Sequence, residues 1–359
     1  MIADPEPSRL DSQLWTLKSQ PQTINTLMPK QKPIRLGLLR CDIHAYFFAP
    51  FMVRADPVKL QENCTYVHGQ LADKFSADKL AANKIPGFKL THVWDPDVGE
   101  ADKFAETFTD GPIVCRRPEQ MVGEIDAAFV ANCSFDGSDH LAIVRPLLKA
   151  GIPTFIDKPM ADSYKNAKSI VDLAVKYDAP LFAASILHHA DEVHNFRRRL
   201  RDFHRVHNGL IEGSHGWETK GGLEGITHGV ALALTVFGND VDWVECMGAL
   251  PREIILLHYP DGRQVLVWNM NHAVYQNGFF VRAWGEHATR LSNAESGECL
   301  ESLRIGQPEY PMTAQKIAKM FRQMVRAGEP PVPYEQLLLW CRVCDAARRA
   351  QESGKRVRL

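Results

Sequence analysis

Between residues 33 and 185, short apolar runs alternate with stretches of helical periodicity. Segment 100–108 places its apolar side chains on one helical face, and Ser138 and Ser163 stand where two further helices would begin. Gly151 follows the first of these two helices as a C-terminal stop. Strands that alternate with helices predict βαβ units and a Rossmann-like parallel sheet. The strands are expected at residues 34–39, 89–95, 112–115, 127–131, 154–156 and 181–184.

Beyond about residue 205 the apolar positions recur with a period of two, which is typical of antiparallel strands. One helix, 227–237, interrupts them, and segment 260–263 forms a hairpin turn. This change of period predicts a separate α+β domain with a mainly antiparallel open sheet. Its strands are expected at residues 210–217, 243–250, 253–259, 264–271 and 279–284.

The predicted fold class is therefore α/β, with an N-terminal Rossmann-like parallel sheet and a C-terminal α+β domain. Residues 1–32 form a polar N-terminal arm, and residues 33–160 form the Rossmann-like domain. Residues 161–330 form the α+β domain. After a proline-rich break, residues 331–359 form a C-terminal helix that is expected to pack back on the first domain.

Composition and charge narrow the class of partner. The 359 residues include 42 Lys and Arg against 43 Asp and Glu, so the formal net charge is only -1. This balance gives no field to attract nucleic acid or an anionic membrane, and a small molecule is the expected partner. The eight cysteines are scattered over the chain, and neither a signal peptide nor a membrane-spanning run is evident. We expect a soluble, cytoplasmic protein.

Three motifs resemble those of one oxidoreductase family. Asp157-Lys158-Pro159 follows the fifth strand, Gly225 to His228 opens the helix of the second domain, and segment 345–355 ends the chain. Together they are similar to the glucose–fructose oxidoreductase / inositol dehydrogenase (Gfo/Idh/MocA) family. The resemblance implies an NAD-dependent enzyme that oxidises a secondary alcohol of a sugar, cyclitol or glycoside. It also implies a homo-oligomer, either a dimer or a tetramer, and NAD that is bound either tightly or exchangeably.

The resemblance assigns catalytic roles to three residues. Lys158 lies at the carboxyl end of a parallel strand, where ligands bind in open α/β sheets, and it would polarise the substrate hydroxyl or relay its proton. His228 matches the family's histidine that takes this proton, for which a neutral imidazole is suited. Glu224 stands four residues earlier, where the family usually has Asp, and would orient the ring.

Cofactor contacts are predicted from the ends of the strands. Asp95 closes the second strand, where a carboxylate accepts hydrogen bonds from the adenosine ribose and favours NAD over NADP. Asn132 follows the fourth strand, and the resemblance places it, with His140 more weakly, near the nicotinamide. Asp157 and Lys158 complete this set.

The first loop departs from the family. The glycines of its GxGxxG motif, which let the backbone approach the pyrophosphate, are replaced by Arg40, Asp42 and Ala45. A carboxylate about 5 Å from a phosphate costs about 3 kcal/mol at an effective dielectric constant near 20. Arg40 would offset that repulsion through a phosphate contact. The aromatic-rich segment 45–87 then either covers the cofactor groove or fills it.

Two alternatives remain open. The same fold supports a non-redox lyase or hydrolase acting on a sugar derivative, and the missing glycines are also compatible with a catalytically silent family member.

The histidines near His188 raise the question of a metal. However, His188 and His189 are adjacent and would face opposite ways on an extended chain, and the HxxxH and HExxH spacings are missing. No metal is therefore expected.

Overall fold

The computed structural model describes residues 32–72, 80, 83–132, 136–214, 223–248, 252–270, 278–287 and 298–359. Residues 1–32 separate from the rest, and Pro33–Leu359 form one compact unit. Everything below concerns that unit. The predicted N-terminal arm lies almost wholly outside the described residues.

The first sheet has six parallel strands in the order β3-β2-β1-β4-β5-β6. Strands 127–130, 154–157 and 181–184 are buried along their whole length, as expected for apolar runs covered by helices on either side. This confirms the predicted Rossmann-like fold. The sheet continues past residue 160 to Ala184. The strands are β1 (Ile34–Leu39), β2 (Phe88–Trp94), β3 (Ile113–Val114), β4 (Ala127–Val130), β5 (Thr154–Asp157) and β6 (Leu181–Ala184).

Four helices of this half begin at a residue whose side chain accepts a hydrogen bond from the backbone of the first turn. Ser163 caps its helix as predicted, because its side chain accepts a hydrogen bond from the backbone N–H of Asn166. The prediction that Ser138 caps the preceding helix is wrong, since Asp139 is the residue at that position. The helices are α1 (Ile43–Phe48), α2 (Pro57–Asn63), α3 (Thr65–Ala72), α4 (Val98–Thr107), α5 (His140–Lys149) and α6 (Tyr164–Lys176).

The aromatic residues that follow β1 belong to the core of this half. Phe48, in α1, lies 5.3 Å from Phe129 and 6.0 Å from Phe155 between ring centroids. Phe51 and Met52 are fully buried. The described part of segment 45–87 thus packs largely against the sheet.

The second sheet has seven strands in the order β12-β11-β7-β10-β9-β8-β13. Every neighbouring pair is antiparallel except β7 and β10, so the sheet is mainly antiparallel, as predicted. The strands are β7 (Phe203–Ser214), β8 (Trp243–Met247), β9 (Ile254–His258), β10 (Gln264–Met270), β11 (Phe279–His287), β12 (Glu298–Ile305) and β13 (Val357–Arg358).

Helix α8 (Leu223–Phe237) packs on the inner face of this sheet against β7 and β10. Gly229 permits the close approach, because a Cβ there would lie 2.3 Å from Val267 Cγ1. Helix α7 (Asp191–Arg199) leads into the sheet, and α9 (Tyr310–Ala327) contacts α1. The last helix, α10 (Tyr334–Ser353), packs on α6, α8 and β8. Within the described part of the chain, no helix is both long and apolar enough to span a bilayer.

Candidate active site

The carboxyl ends of four parallel strands bring the predicted site residues to one edge of the first sheet. Arg40 follows β1, Asp95 follows β2, Asn132 lies just beyond β4, and Lys158 follows β5. Because Asp157 pairs with Ala184 in register, Lys158 and Ser185 begin neighbouring loops at this edge. In open α/β sheets this edge is where ligands bind.

Arg40 takes the left-handed backbone conformation that a glycine would supply, with φ of 69°. Such a conformation costs a non-glycine residue roughly 1–2 kcal/mol. Its side chain is buried, forms an ion pair with Asp139 and lies 5.8 Å from the centroid of the Trp94 ring. Burial lowers the pKa of Arg40. The guanidinium is therefore held at the loop by Asp139 and Trp94.

Asp42 caps helix α1. Its Oδ1 accepts a hydrogen bond from the backbone N–H of His44 at 2.9 Å, so the carboxylate is directed at the first turn of its own helix. This contact accounts for an acidic residue in a loop where a glycine was expected.

Asp95 is held by two backbone groups. Its Oδ2 accepts from the N–H of Cys41 at 2.8 Å, and its Oδ1 accepts from the N–H of Asp97 at 2.8 Å. Each carboxylate oxygen can accept a second hydrogen bond, since an ionised carboxylate offers about four acceptor positions. Asp95 thus connects the first loop to the end of β2, and its carboxylate oxygens can still accept hydrogen bonds from a hydroxyl group.

Asn132 and His140 form a buried pair whose hydrogen bonds fix both side chains. His140 Nδ1 lies 3.1 Å from the carbonyl of Met160, which can only accept, so Nδ1 carries the proton. Burial lowers the pKa of His140 to about 4, so the ring is neutral and Nε2 is an acceptor. Asn132 Nδ2, at 2.7 Å, therefore donates to Nε2. Asn132 Oδ1 is left buried, with no partner in the described part of the chain.

Lys158 and Asp157 are both buried, with exposed fractions of 2% and 1%. Asp157 Oδ2 is in hydrogen-bonding contact with Nδ1 of His44, which lies in the first turn of α1, within the segment that was expected to hold the glycines. Sequence reasoning did not identify His44, because a contact across 113 residues leaves no local pattern.

His228 lies in α8 and contacts the first sheet through Ser185. Ser185 Oγ is 2.7 Å from His228 Nδ1 and also accepts a hydrogen bond from the N–H of Leu187 at 3.1 Å. Ser185 was missed, although a small polar residue directly after a buried strand is a signal of this kind of role. Glu224, predicted to orient His228, lies in the first turn of α8, and its side chain is outside the described part.

The histidines beyond β6 serve packing. His188 Nδ1 accepts from the backbone N–H of Ser185 at 3.2 Å, and its ring lies edge-on to Trp340 at 4.6 Å between centroids. Exclusion of water lowers the pKa of His188 and of His189 to about 3 each. Among the described residues, no three potential ligands converge on a metal position.

Comparison with known families bears on this site directly. A family model described as "Oxidoreductase family, NAD-binding Rossmann fold" matches residues 70–185, a range that ends at Ser185 and includes the Lys158 motif. Residues 70–185 are therefore similar to the Gfo/Idh/MocA family of oxidoreductases. Inositol 2-dehydrogenases from two strains of Corynebacterium glutamicum are each 25% identical over 119 residues, which are 33% of this chain and 34% of those proteins.

Solved structures extend the likeness in fold to both halves of the chain. A myo-inositol 2-dehydrogenase from Lactobacillus plantarum superposes with a TM-score of 0.70 at 14% identity, covering 91% of this chain and 100% of that one. A myo-inositol dehydrogenase from Lactobacillus casei, solved with NAD(H) and myo-inositol, gives a TM-score of 0.67 at 15% identity and covers 91% and 97%. At these identities the likeness establishes the two-domain fold.

Proposed function

We propose that the chain is an NAD-dependent oxidoreductase that acts on a secondary alcohol of a cyclitol, sugar or glycoside. One observation supports this most. Lys158 and the Ser185–His228 pair lie at the ends of neighbouring strands, so an amine and an imidazole face the same edge of the sheet. Removal of hydride from a hydroxyl-bearing carbon requires a group that takes the hydroxyl proton, and this pair supplies it.

His228 is the proposed base. When His228 takes a proton at Nε2, the charged ring donates from Nδ1 to Ser185 Oγ, which lies 2.7 Å away. Lys158, at the adjacent strand end, polarises the same hydroxyl as a hydrogen-bond donor. The chemistry that NAD supplies when bound is acceptance of the hydride from that carbon.

The residues present are compatible with NAD along the groove. Asp95 keeps acceptor capacity for the ribose hydroxyls, and the buried Asn132 Oδ1 offers an acceptor to the nicotinamide amide. Arg40 provides a cation at the pyrophosphate, while Asp42 is directed at α1. A carboxylate at Asp95 disfavours a 2′-phosphate, so NAD is preferred over NADP.

The proposed substrate class follows from the relatives. The curated relatives are named inositol 2-dehydrogenases, and the Lactobacillus casei structure holds myo-inositol. Carrying this class to the present chain makes cyclitols the first compounds to test, with sugars and glycosides next.

We also propose a homo-oligomer, either a dimer or a tetramer, formed through the outer face of the second sheet. Trp268, Trp284 and Leu300 on three strands of this sheet are 38%, 37% and 57% exposed, and Trp284 pairs with Leu300 in register. Exposed apolar surface of this kind marks an interaction site. Light scattering tests it, since Trp284→Arg should lower the oligomer mass.

The function is tested by NAD reduction at 340 nm with a panel of cyclitols and sugars. We expect Lys158→Ala and His228→Ala each to lower turnover by about 10² or more. Lys168→Ala and His207→Ala remove a lysine and a histidine from exposed ion pairs and should leave turnover unchanged. Full activity in either site variant would exclude that residue from the mechanism.

A non-redox lyase or hydrolase activity is the second candidate. The observation that favours it is the first loop, which presents Arg40 and Asp42 in place of glycines. A product of unchanged oxidation state, formed without added NAD and lost in Lys158→Ala, would support this candidate. The third candidate is a catalytically silent binding or partner subunit, which predicts no turnover.

A further inference from the structure

Asp157, whose side chain is buried, directly precedes the proposed catalytic lysine in the chain. Asp157 ends β5 with 1% of its surface exposed, and Lys158 follows with 2% exposed. A buried carboxylate is costly unless a cation or hydrogen-bond donors compensate it. Here the compensation includes the ring of His44, whose Nδ1 is in hydrogen-bonding contact with Asp157 Oδ2.

The ring of His44 is held in place from more than one side. Its backbone N–H donates to Asp42 Oδ1 at 2.9 Å. Its ring lies edge-on to Phe48 at 6.3 Å between centroids, and Phe48 packs on Phe155 of β5 at 6.0 Å. The imidazole is therefore fixed relative to the strand that carries Asp157. Substitution at this ring should thus act first on Asp157.

We propose that His44 is a positioning residue for Lys158, acting through the charge and orientation of Asp157. The inference rests on the proposed function for its catalytic part. His44 stands at a variable position of the motif, between the replaced glycines at Asp42 and Ala45, and there it presents an imidazole to the carboxylate at this strand end.

Two variants of His44 separate its hydrogen bond from its shape. His44→Phe keeps a ring against Phe48 but cannot donate to Asp157. His44→Asn loses the ring but keeps a donor, because Nδ2 of asparagine is bonded to Cγ, just as Nδ1 of histidine is. We expect His44→Phe to lower kcat by about 10- to 100-fold, with the KM for the polyol and the Kd for NAD changed by less than about threefold. His44→Asn should restore kcat to within about threefold of the wild type.

A second readout needs no turnover. Competitive labelling with isotopic acetic anhydride, followed by mass spectrometry, reports the pH at which the Lys158 amine becomes reactive. Without the hydrogen bond from His44, the negative charge of Asp157 is less stabilised and favours the ammonium form of the neighbouring lysine, so labelling of Lys158 should move to higher pH in His44→Phe. His44→Asn should lie closer to the wild type, and Lys168, on the exposed face of α6, serves as the internal reference.

If His44→Phe alone folds poorly, the role of His44 can be tested in protein that also carries Asp157→Asn. The amide of Asn at position 157 is neutral, so its burial does not depend on a compensating cation. In that background His44→Phe should change kcat and Lys158 labelling by less than about twofold. Multiplicative effects of the two substitutions, or equal losses in His44→Phe and His44→Asn, would overturn the inference. If the wild type oxidises no polyol while labelling behaves as expected, the proposed function fails and the positioning role stands.

Discussion

Removal of the Ser185 hydroxyl should weaken His228 as a base by an amount that the structure allows us to estimate. Ser185 is fully buried, and its Oγ lies 2.7 Å from His228 Nδ1. A hydrogen bond to a neutral group contributes about 0.5–1.5 kcal/mol and one to a charged group about 1.5–3 kcal/mol. The contact therefore strengthens by about 1–1.5 kcal/mol when the ring gains a proton, which corresponds to roughly tenfold in rate.

The assay is the pH dependence of kcat for Ser185→Ala. We expect kcat to fall about tenfold and KM to change little, because the lost contact strengthens in the transition state. The acidic limb of the profile should move to lower pH, since the partner of the protonated ring is gone. The hydroxyl also caps the short helix after β6, so Ser185→Ala should cost about 1 kcal/mol of stability, measured separately.

Ser169→Ala is the matched control, because its hydroxyl only contacts the carbonyl one turn earlier on α6. A change in kcat below about twofold for Ser185→Ala, with both limbs of the pH profile in place, would refute the reasoning.

Three further predictions concern stability and packing. Burial lowers the pKa of His140 from 6.5 to about 4, so the unfolded chain binds more protons across that window. The free energy of unfolding should therefore fall by up to about 3 kcal/mol as the pH drops from 6.5 to 4, and urea titrations of His140→Gln should lose much of this dependence. Gly229→Ala places a Cβ 2.3 Å from Val267 Cγ1, so it should lower the free energy of unfolding by about 1–3 kcal/mol. It should also lower kcat, because the clash displaces His228. Denaturation measures the first effect and an activity assay measures the second. Phe155→Ala removes a fully buried ring stacked on Phe129 at 4.3 Å, and urea denaturation should show a loss of about 3–5 kcal/mol.

The architecture could be predicted because its signals are local. Apolar runs, a capping serine at position 163 and the change of period near residue 205 each act over a few residues. Strand β12 and helix α9 were not predicted, although the buried face of α9 recurs at Ala314, Ile317 and Phe321 with helical spacing. Strand β12 alternates weakly and lies at the edge of its sheet, where a polar side chain costs little.

The site could be predicted only as far as motifs extend along the chain. Lys158 and Asn132 lie at the strand ends where a parallel sheet must bring them. The partners that hold the site together were not evident, since His44 meets Asp157 across 113 residues and Ser185 meets His228 across 43. Such pairings depend on tertiary packing, which no local pattern records.

The most direct test of the central claim is calorimetric titration of cofactor-free protein with NAD. We expect saturable binding, with NADP weaker, and about 2.7 kcal/mol of added stability at 100 times the Kd. Asp95→Ala should weaken binding, whereas Asp102→Ala, on the exposed side of α4, should not. Heats of dilution alone with both NAD and NADH, in protein that mass spectrometry shows to be free of nicotinamide, would contradict the oxidoreductase assignment.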